Sequence, residues 1–334
     1  MMRKSRKEQR VLFLCFPLIL ASILLFTLPP VSGREARTVR VAMGYIPNVQ
    51  FAPWYVAEAK GYFAAEGLKV EFDYNLDVDG LLLLGQGKRE FAVGGGDMVI
   101  IARSQGLPVT YVCTLYAKFP PSIVSLAEKG ITTMADLRGK RIGVPFMGTS
   151  YIALRAMLAK AGMKEEDVKV LMIGYTQIPS LLADKVDAAV VFANNEPIQL
   201  AAQGRRFNQI YSYDYFPLVG HGVVTSERML EEEPAVVRAF VRATLEGMRY
   251  ALRYPRAAFS LVQKAIDLPP TDAEVQYQVF RASMALWEND YTRRHGLGSS
   301  DPAAWAASQQ FMLENGFIKN TTDVEKLVRN DFLR

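Results

Sequence analysis

The chain has 334 residues, 50% hydrophobic and 22% charged, with a formal net charge of +5. Residues 1–33 hold five Lys/Arg against Glu8 and so carry +4, which leaves about +1 for the rest. That near-neutral remainder shows no basic stripe with interleaved aromatics, which excludes a nucleic-acid footprint.

The first segment reads as a targeting signal. Basic residues up to Arg10 precede Val11–Leu28, an uncharged apolar run of 18 residues, and then Pro29-Pro30-Val31-Ser32-Gly33. Basic, apolar, then small is the secretory pattern, with cleavage expected near Gly33. The run also approaches spanning length, so an uncleaved anchor is the competing reading. Cys15 lies inside the run and not at its end, so it is no lipid-attachment cysteine. After cleavage only Cys113 remains, which rules out an internal disulfide and leaves a small apolar side chain. About 300 remaining residues suit two lobes.

Strand and helix patterns then alternate, as in an α/β architecture with largely parallel sheets. Val39, Val41 and Met43 alternate as a strand. A loop, Gly44 to Gln50, leads to a helix with Pro53 in its first turn, where a missing N–H is tolerated. Lys69–Tyr74 is a second strand, Leu81–Gln86 a helix, and Phe91–Asp97 a short strand ending in a glycine turn. Met98–Gln105 is a helix and Val109–Leu115 a strand. A loop with Pro120-Pro121 separates this region from the next.

The second region begins with Leu126–Ile131, which leads to Thr133, the cap of a short helix. Arg141–Val144 is a strand, and Gly148-Thr149-Ser150 precedes the helix Tyr151–Ala161, ended by Gly162. Val168–Ile173, Ala188–Phe192 and Phe207–Tyr211 are strands, with a helix over Ile178–Ala183 and another starting at Asn194-Asn195-Glu196-Pro197. From Gly222 onward helices dominate, over Ser226–Leu230, Pro234–Tyr254, Pro255–Ile266, Ala273–Trp287, Pro302–Asn315 and Val324–Leu333. Their Ala, Leu and Met stripes are expected to cover the first lobe. Crossovers near Tyr116–Pro121 and Tyr213–Pro217 imply a hinged cleft. The expected division is 38–115 with 218–334 as lobe one, and 116–217 as lobe two.

Ordered motifs carry a family resemblance. They are Tyr45-Ile46-Pro47-Asn48 leading to Tyr55–Phe63 and Glu66-Gly67-Leu68; Phe91–Asp97; Asp136-Leu137-Arg138-Gly139-Lys140 before a strand and Gly148-Thr149; and Val223-Val224-Thr225-Ser226. With these the chain resembles the solute-binding proteins of ABC importers that handle sulfonates, nitrate, riboflavin and thiamine-pyrimidine precursors. The resemblance implies a two-lobed periplasmic-binding-protein fold (type II) that closes on its ligand by hinge motion. It also implies a permease and its ATPase as partners and a periplasmic or cell-surface location. No cofactor or metal is expected.

Open α/β sheets bind ligands outside the C-terminal ends of their strands, so the site is sought in strand-to-helix loops. Tyr45, Asn48 and Gln50 follow the first strand. Asn48 offers donors and an acceptor to a ring edge, or caps a turn after Pro47. Trp54 stacks on a flat ligand, or packs in the core as large aromatics usually do. Asp97 accepts from a ligand, or caps the next helix. Thr149 and Tyr151 open a helix that could hold a polar edge, or are simple capping residues. Asn195 and Glu196 follow an apolar strand. Glu196 accepts from ring N–H groups or hydroxyls, or is a favourable charge at a helix start. Tyr116 belongs to an aromatic cluster at the crossovers with Phe119, Tyr213, Tyr215 and Phe216.

Many aromatics and few cations suit an uncharged heterocycle, and a carboxylate at Glu196 repels a sulfonate or nitrate. The Tyr45–Pro53 wording looks most like the riboflavin branch. Formylaminopyrimidine is the second candidate, and sulfonate, taurine or nitrate the third. Eukaryotic relatives of the fold make the thiamine pyrimidine with a histidine, a pyridoxal cofactor and a cysteine-rich iron motif. This chain has two histidines, His221 and His295, and lacks the cysteine cluster, so the expectation is a binding protein and not an enzyme.

Overall fold

The computed structural model describes residues 35–75, 79–146, 148–216 and 218–334. The targeting segment expected over residues 1–33 lies outside the described residues. Among the described residues no helix is long and apolar enough to cross a membrane.

Among the described residues, ten strands form two five-stranded sheets. The first holds β1 (Arg37–Ala42), β2 (Leu68–Asp73), β3 (Phe91–Gly95) and β4 (Val109–Thr114), and it recovers β10 (His221–Ser226) from much later in the chain. The second holds β5 (Pro121–Leu126), β6 (Arg141–Val144), β7 (Lys169–Met172), β8 (Ala188–Phe192) and β9 (Phe207–Tyr211). The orders are β2-β1-β3-β10-β4 and β7-β6-β8-β5-β9, so both sheets have one plan. In each, four strands run in one direction and the fifth, β10 or β5, runs antiparallel to both its neighbours.

β5 and β10 were not among the strands expected from sequence. Each follows a crossover and enters the middle of a sheet. β5 is buried at every position and β10 at all but its first residue, so neither shows the apolar–polar alternation that marks a half-exposed strand. Pro121, Gly222 and several Ser and Thr further weaken their strand signal.

The C-terminal helices cover the first sheet, as their stripes suggested. Helix Pro234–Arg253 buries Val237, Phe240, Val241, Leu245 and Met248 on one face. This spacing of three and four keeps one helical face against the sheet. Phe240 stacks on Phe91 of β3 at 4.0 Å between ring centroids and on Phe63 at 5.3 Å. Helix Ala52–Ala59 lies against the same long helix. A Cβ on Gly247 would sit 2.0 Å from the Pro53 carbonyl oxygen, so only glycine permits that approach. This contact decides where the side chains near Pro53 point.

Candidate functional site

A cleft of about 380 Å³ opens between the two sheets, a size in the range of small-molecule pockets. Its walls come from the segments after β1, β2, β3, β4, β6, β7 and β8, at the C-terminal ends of strands that run in one direction within each sheet. Tyr45, Gln50, Tyr116, Thr149, Asn195 and Glu196 all line it. Six of the ten residues expected from sequence are thus brought together.

The other four are placed elsewhere, each for a physical reason. Trp54 has no exposed surface and belongs to the core cluster under helix Pro234–Arg253, with Phe51 at 5.9 Å. The helix carrying it turns that face to the core, so Trp54 does not reach the cleft. Asn48 caps the short turn Val49–Phe51, its side-chain oxygen accepting from the Gln50 N–H at 3.0 Å. Tyr151 lies away from the cleft and donates to Glu165 Oε2 at 2.6 Å. Asp97 is fully buried beneath the cleft floor, where Oδ1 accepts from the Thr149 hydroxyl at 3.1 Å.

Aromatic edges form the mouth. Tyr45 from the first sheet and Tyr175 from the second meet edge to face at 4.5 Å. Phe146 meets Tyr175 at 4.7 Å and is 50% exposed. The Tyr175 hydroxyl donates to the Gly44 carbonyl at 3.3 Å, a second link between the sheets. Burial pushes the Tyr175 phenol up to about 12, so it stays a donor. Tyr45 is raised too, first by burial and then by the nearby Glu196 carboxyl.

The inner wall is polar but closely paired. Glu196 Oε2 accepts from the Phe192 N–H at 3.0 Å and Oε1 from the Asn195 amide at 3.2 Å. Burial nevertheless pushes this carboxyl up to about 7. The neighbouring Asn194 donates to the Tyr116 hydroxyl at 3.3 Å and to Ser283 Oγ at 2.8 Å. Asp79, at the rim, caps helix Gly80–Gly85 through the N–H groups of Leu81 and Leu82. No Lys or Arg is among the described residues lining the cleft.

The family described as NMT1/THI5 like matches residues 48–258. The chain belongs to that family. The riboflavin-binding protein RibY of Chloroflexus aurantiacus is 41% identical over 300 residues, covering 88% of this chain and 86% of its own. The formylaminopyrimidine-binding protein of Halalkalibacterium halodurans is 30% identical over 280 residues, covering 80% and 82%. A 4-amino-5-hydroxymethyl-2-methylpyrimidine phosphate synthase of Aspergillus parasiticus is 26% identical over 255 residues, covering 72% and 73%. In fold, the chain is similar to the solved alkanesulfonate-binding protein SsuA of Xanthomonas axonopodis pv. citri, with a TM-score of 0.67 at 17% identity, covering 89% and 99%. The two-lobed periplasmic-binding-protein architecture expected from sequence is therefore the fold of this NMT1/THI5-like chain.

Sequence reasoning did not single out Phe146, Tyr175, Phe192 or His221 as part of the cleft, though all four line it. One signal was available for Tyr175. Gly44-Tyr45 and Gly174-Tyr175 repeat the same pair just after a strand, both glycines at positive φ, +70° and +56°. In each case a glycine turn after the strand presents the next side chain to the cleft.

Proposed function

We propose that the chain is the extracytoplasmic solute-binding component of an ABC importer and that its cleft captures riboflavin. The observation that carries this reading is an aromatic-edged cleft with no lining Lys or Arg among the described residues. A flat uncharged ring gains from such edges, about 0.5–1.5 kcal/mol per aromatic pair beyond burial. An anionic sulfonate or nitrate would meet carboxyl groups and no counter-charge. The 41% identity to a protein named for riboflavin binding supports the same ligand.

In this reading Tyr45, Tyr175 and Phe146 take the stacking role that sequence gave to Trp54. Gln50, Tyr116, Thr149, Asn195 and Glu196 hydrogen-bond the ring edge or the ribityl hydroxyls. Residues 38–115 with 218–334 move against 116–217, and the crossovers act as the hinge. Residues 1–33 direct export, and a permease with its ATPase receives the ligand. Relatives include named synthases, but here we propose capture without turnover, with neither cofactor nor metal.

Formylaminopyrimidine is the second reading, favoured by the 30% identical relative named for it. A fluorescence titration separates the two. Riboflavin emission is expected to be quenched saturably by the protein. No quenching, together with a thermal shift from formylaminopyrimidine, replaces the first reading by the second.

A further inference from the structure

His221 occupies a position the account so far leaves unused. It begins β10 directly after the second crossover, between Gly220 and Gly222. A Cβ on Gly220 would lie 2.1 Å from the Tyr116 carbonyl oxygen, and one on Gly222 would lie 2.2 Å from that of Cys113. The two glycines therefore press the Gly-His-Gly segment against the first crossover. The Leu115 and Tyr116 N–H groups both donate to the His221 carbonyl, at 2.9 and 2.8 Å. Both crossovers thus meet at this residue, and its backbone is held from both sides.

The imidazole lines the cleft between rings from each side. Phe192, at the end of β8, meets it at 5.2 Å, and Tyr116, on the first crossover, at 6.3 Å. Nδ1 is enclosed and has no hydrogen-bond partner among the described residues. Burial pulls the ring's proton affinity down to about 4. Tyr116 is a titratable group whose ring meets the imidazole, and it is kept protonated because burial pushes it up to about 12; Glu196 lines the same cleft. At neutral pH the ring is therefore uncharged and carries a proton on one nitrogen only. An enclosed N–H without an acceptor is rarer in proteins than an enclosed acceptor without a donor. Nδ1 accordingly keeps its lone pair, and the proton belongs on Nε2, the polar atom left to the cleft.

We propose that His221 is a specificity-determining residue of the cleft, presenting Nε2–H as a donor to an acceptor atom, a carbonyl oxygen or a ring nitrogen, on the bound heterocycle. The ligand in this proposal rests on the heterocycle reading above, whereas the tautomer does not. Riboflavin offers both kinds of acceptor. A ligand with only donor groups at this point would leave the imidazole N–H without an acceptor and bind roughly tenfold more weakly.

Imidazole nitrogen NMR on the whole protein tests the proposal. The chain has two histidines, His221 and His295, so a His295→Gln variant assigns both rings. His221 is expected as the neutral Nε2–H tautomer at neutral and mildly acid pH, with its Nε2 signal moving when riboflavin is added. His221→Phe keeps the ring shape and is expected to bind riboflavin roughly tenfold more weakly. His221→Gln restores a donor and is expected to recover most of that loss. An Nδ1–H tautomer, protonation at the ordinary histidine pH, or unchanged affinity in His221→Phe overturns the proposal. If wild-type protein binds no riboflavin while the tautomer holds, the flavin reading alone fails. Formylaminopyrimidine then goes into the same sample, and an unmoved Nε2 signal there overturns this proposal as well.

Discussion

Thr149 donates its hydroxyl to Asp97 Oδ1 across 3.1 Å, joining the first turn of helix Thr149–Lys160 to the first turn of helix Gly96–Ser104. One helix follows β6 of the second sheet and the other follows β3 of the first. The bond therefore spans the cleft floor. Asp97 is fully buried, and its Oδ2 has no partner among the described residues. A Cβ on Gly95 would lie 2.1 Å from Asp97 Oδ1, so the glycine at the end of β3 makes room for the contact.

This buried carboxyl makes stability depend on pH. Burial, opposed by the Met98 N–H and the Thr149 hydroxyl, pushes Asp97 up to about 7. The unfolded chain holds its carboxyl near the ordinary value of about 3.9. Below that value both states are protonated and Asp97 costs nothing. Between about pH 4 and 7 the native state holds a proton that the unfolded state has lost, so stability falls as pH rises. Above pH 7 the full cost remains, on the order of a few kcal/mol. Glu196, also raised to about 7 by burial, acts in the same direction. Denaturant melts of wild type are expected to show a midpoint that drops from pH 5 to pH 8. Asp97→Asn should flatten part of that slope and be the more stable of the two at pH 8. An equal slope in both proteins would contradict this account of Asp97.

Trp54 is expected to matter for folding and not for binding. Truncating a fully buried tryptophan costs about 3–5 kcal/mol, and Trp54 packs under helix Pro234–Arg253, away from the cleft. Trp54→Ala should lower the melting temperature strongly. Measured on the fraction that stays folded in the cold, its riboflavin affinity should match wild type. A loss of affinity without a loss of stability would return Trp54 to the site.

The contrast between Trp54 and Tyr175 shows what the sequence could and could not reveal. The spacing of Phe51, Trp54 and Tyr55 announces an aromatic helix start, and that helix forms at Ala52–Ala59. Which face turns to the cleft depends on the close approach at Gly247, 194 positions after Pro53, and no local pattern contains it. Strands Ala188–Phe192 and Phe207–Tyr211 were legible to the residue, because apolar runs bounded by turns leave little choice. β5 and β10 were hidden, because central strands buried on both faces do not alternate. Asn195 and Glu196 were legible for a different reason: they directly follow an apolar strand, where open sheets place their ligands.

Tyr175 carries two separable contributions. Its ring meets Tyr45 and Phe146, and its hydroxyl reaches Gly44. Tyr175→Phe removes only the hydroxyl bond between the sheets and should weaken riboflavin binding by about fivefold. Tyr175→Ala removes the ring as well and should lose up to about tenfold more. Equal affinities for the two variants would show that the ring is not a ligand surface.

Anions give a direct negative control. No Lys or Arg is among the described residues lining the cleft, and Asp79 and Glu196 are. Taurine and nitrate should therefore leave the melting temperature unchanged at concentrations where riboflavin raises it. A saturable shift with either anion would place a cation in the site that the cleft lining does not include.

The central claim is the proposal that a flavin ring packs against the Tyr45, Tyr175 and Phe146 rings that edge the cleft joining the two sheets. A riboflavin fluorescence titration of wild type beside Tyr175→Ala and Trp54→Ala tests it most directly. The account predicts saturable quenching at one flavin per chain in wild type, weakened in Tyr175→Ala and retained by folded Trp54→Ala. Absence of quenching in wild type, or loss in Trp54→Ala with Tyr175→Ala unaffected, would contradict it.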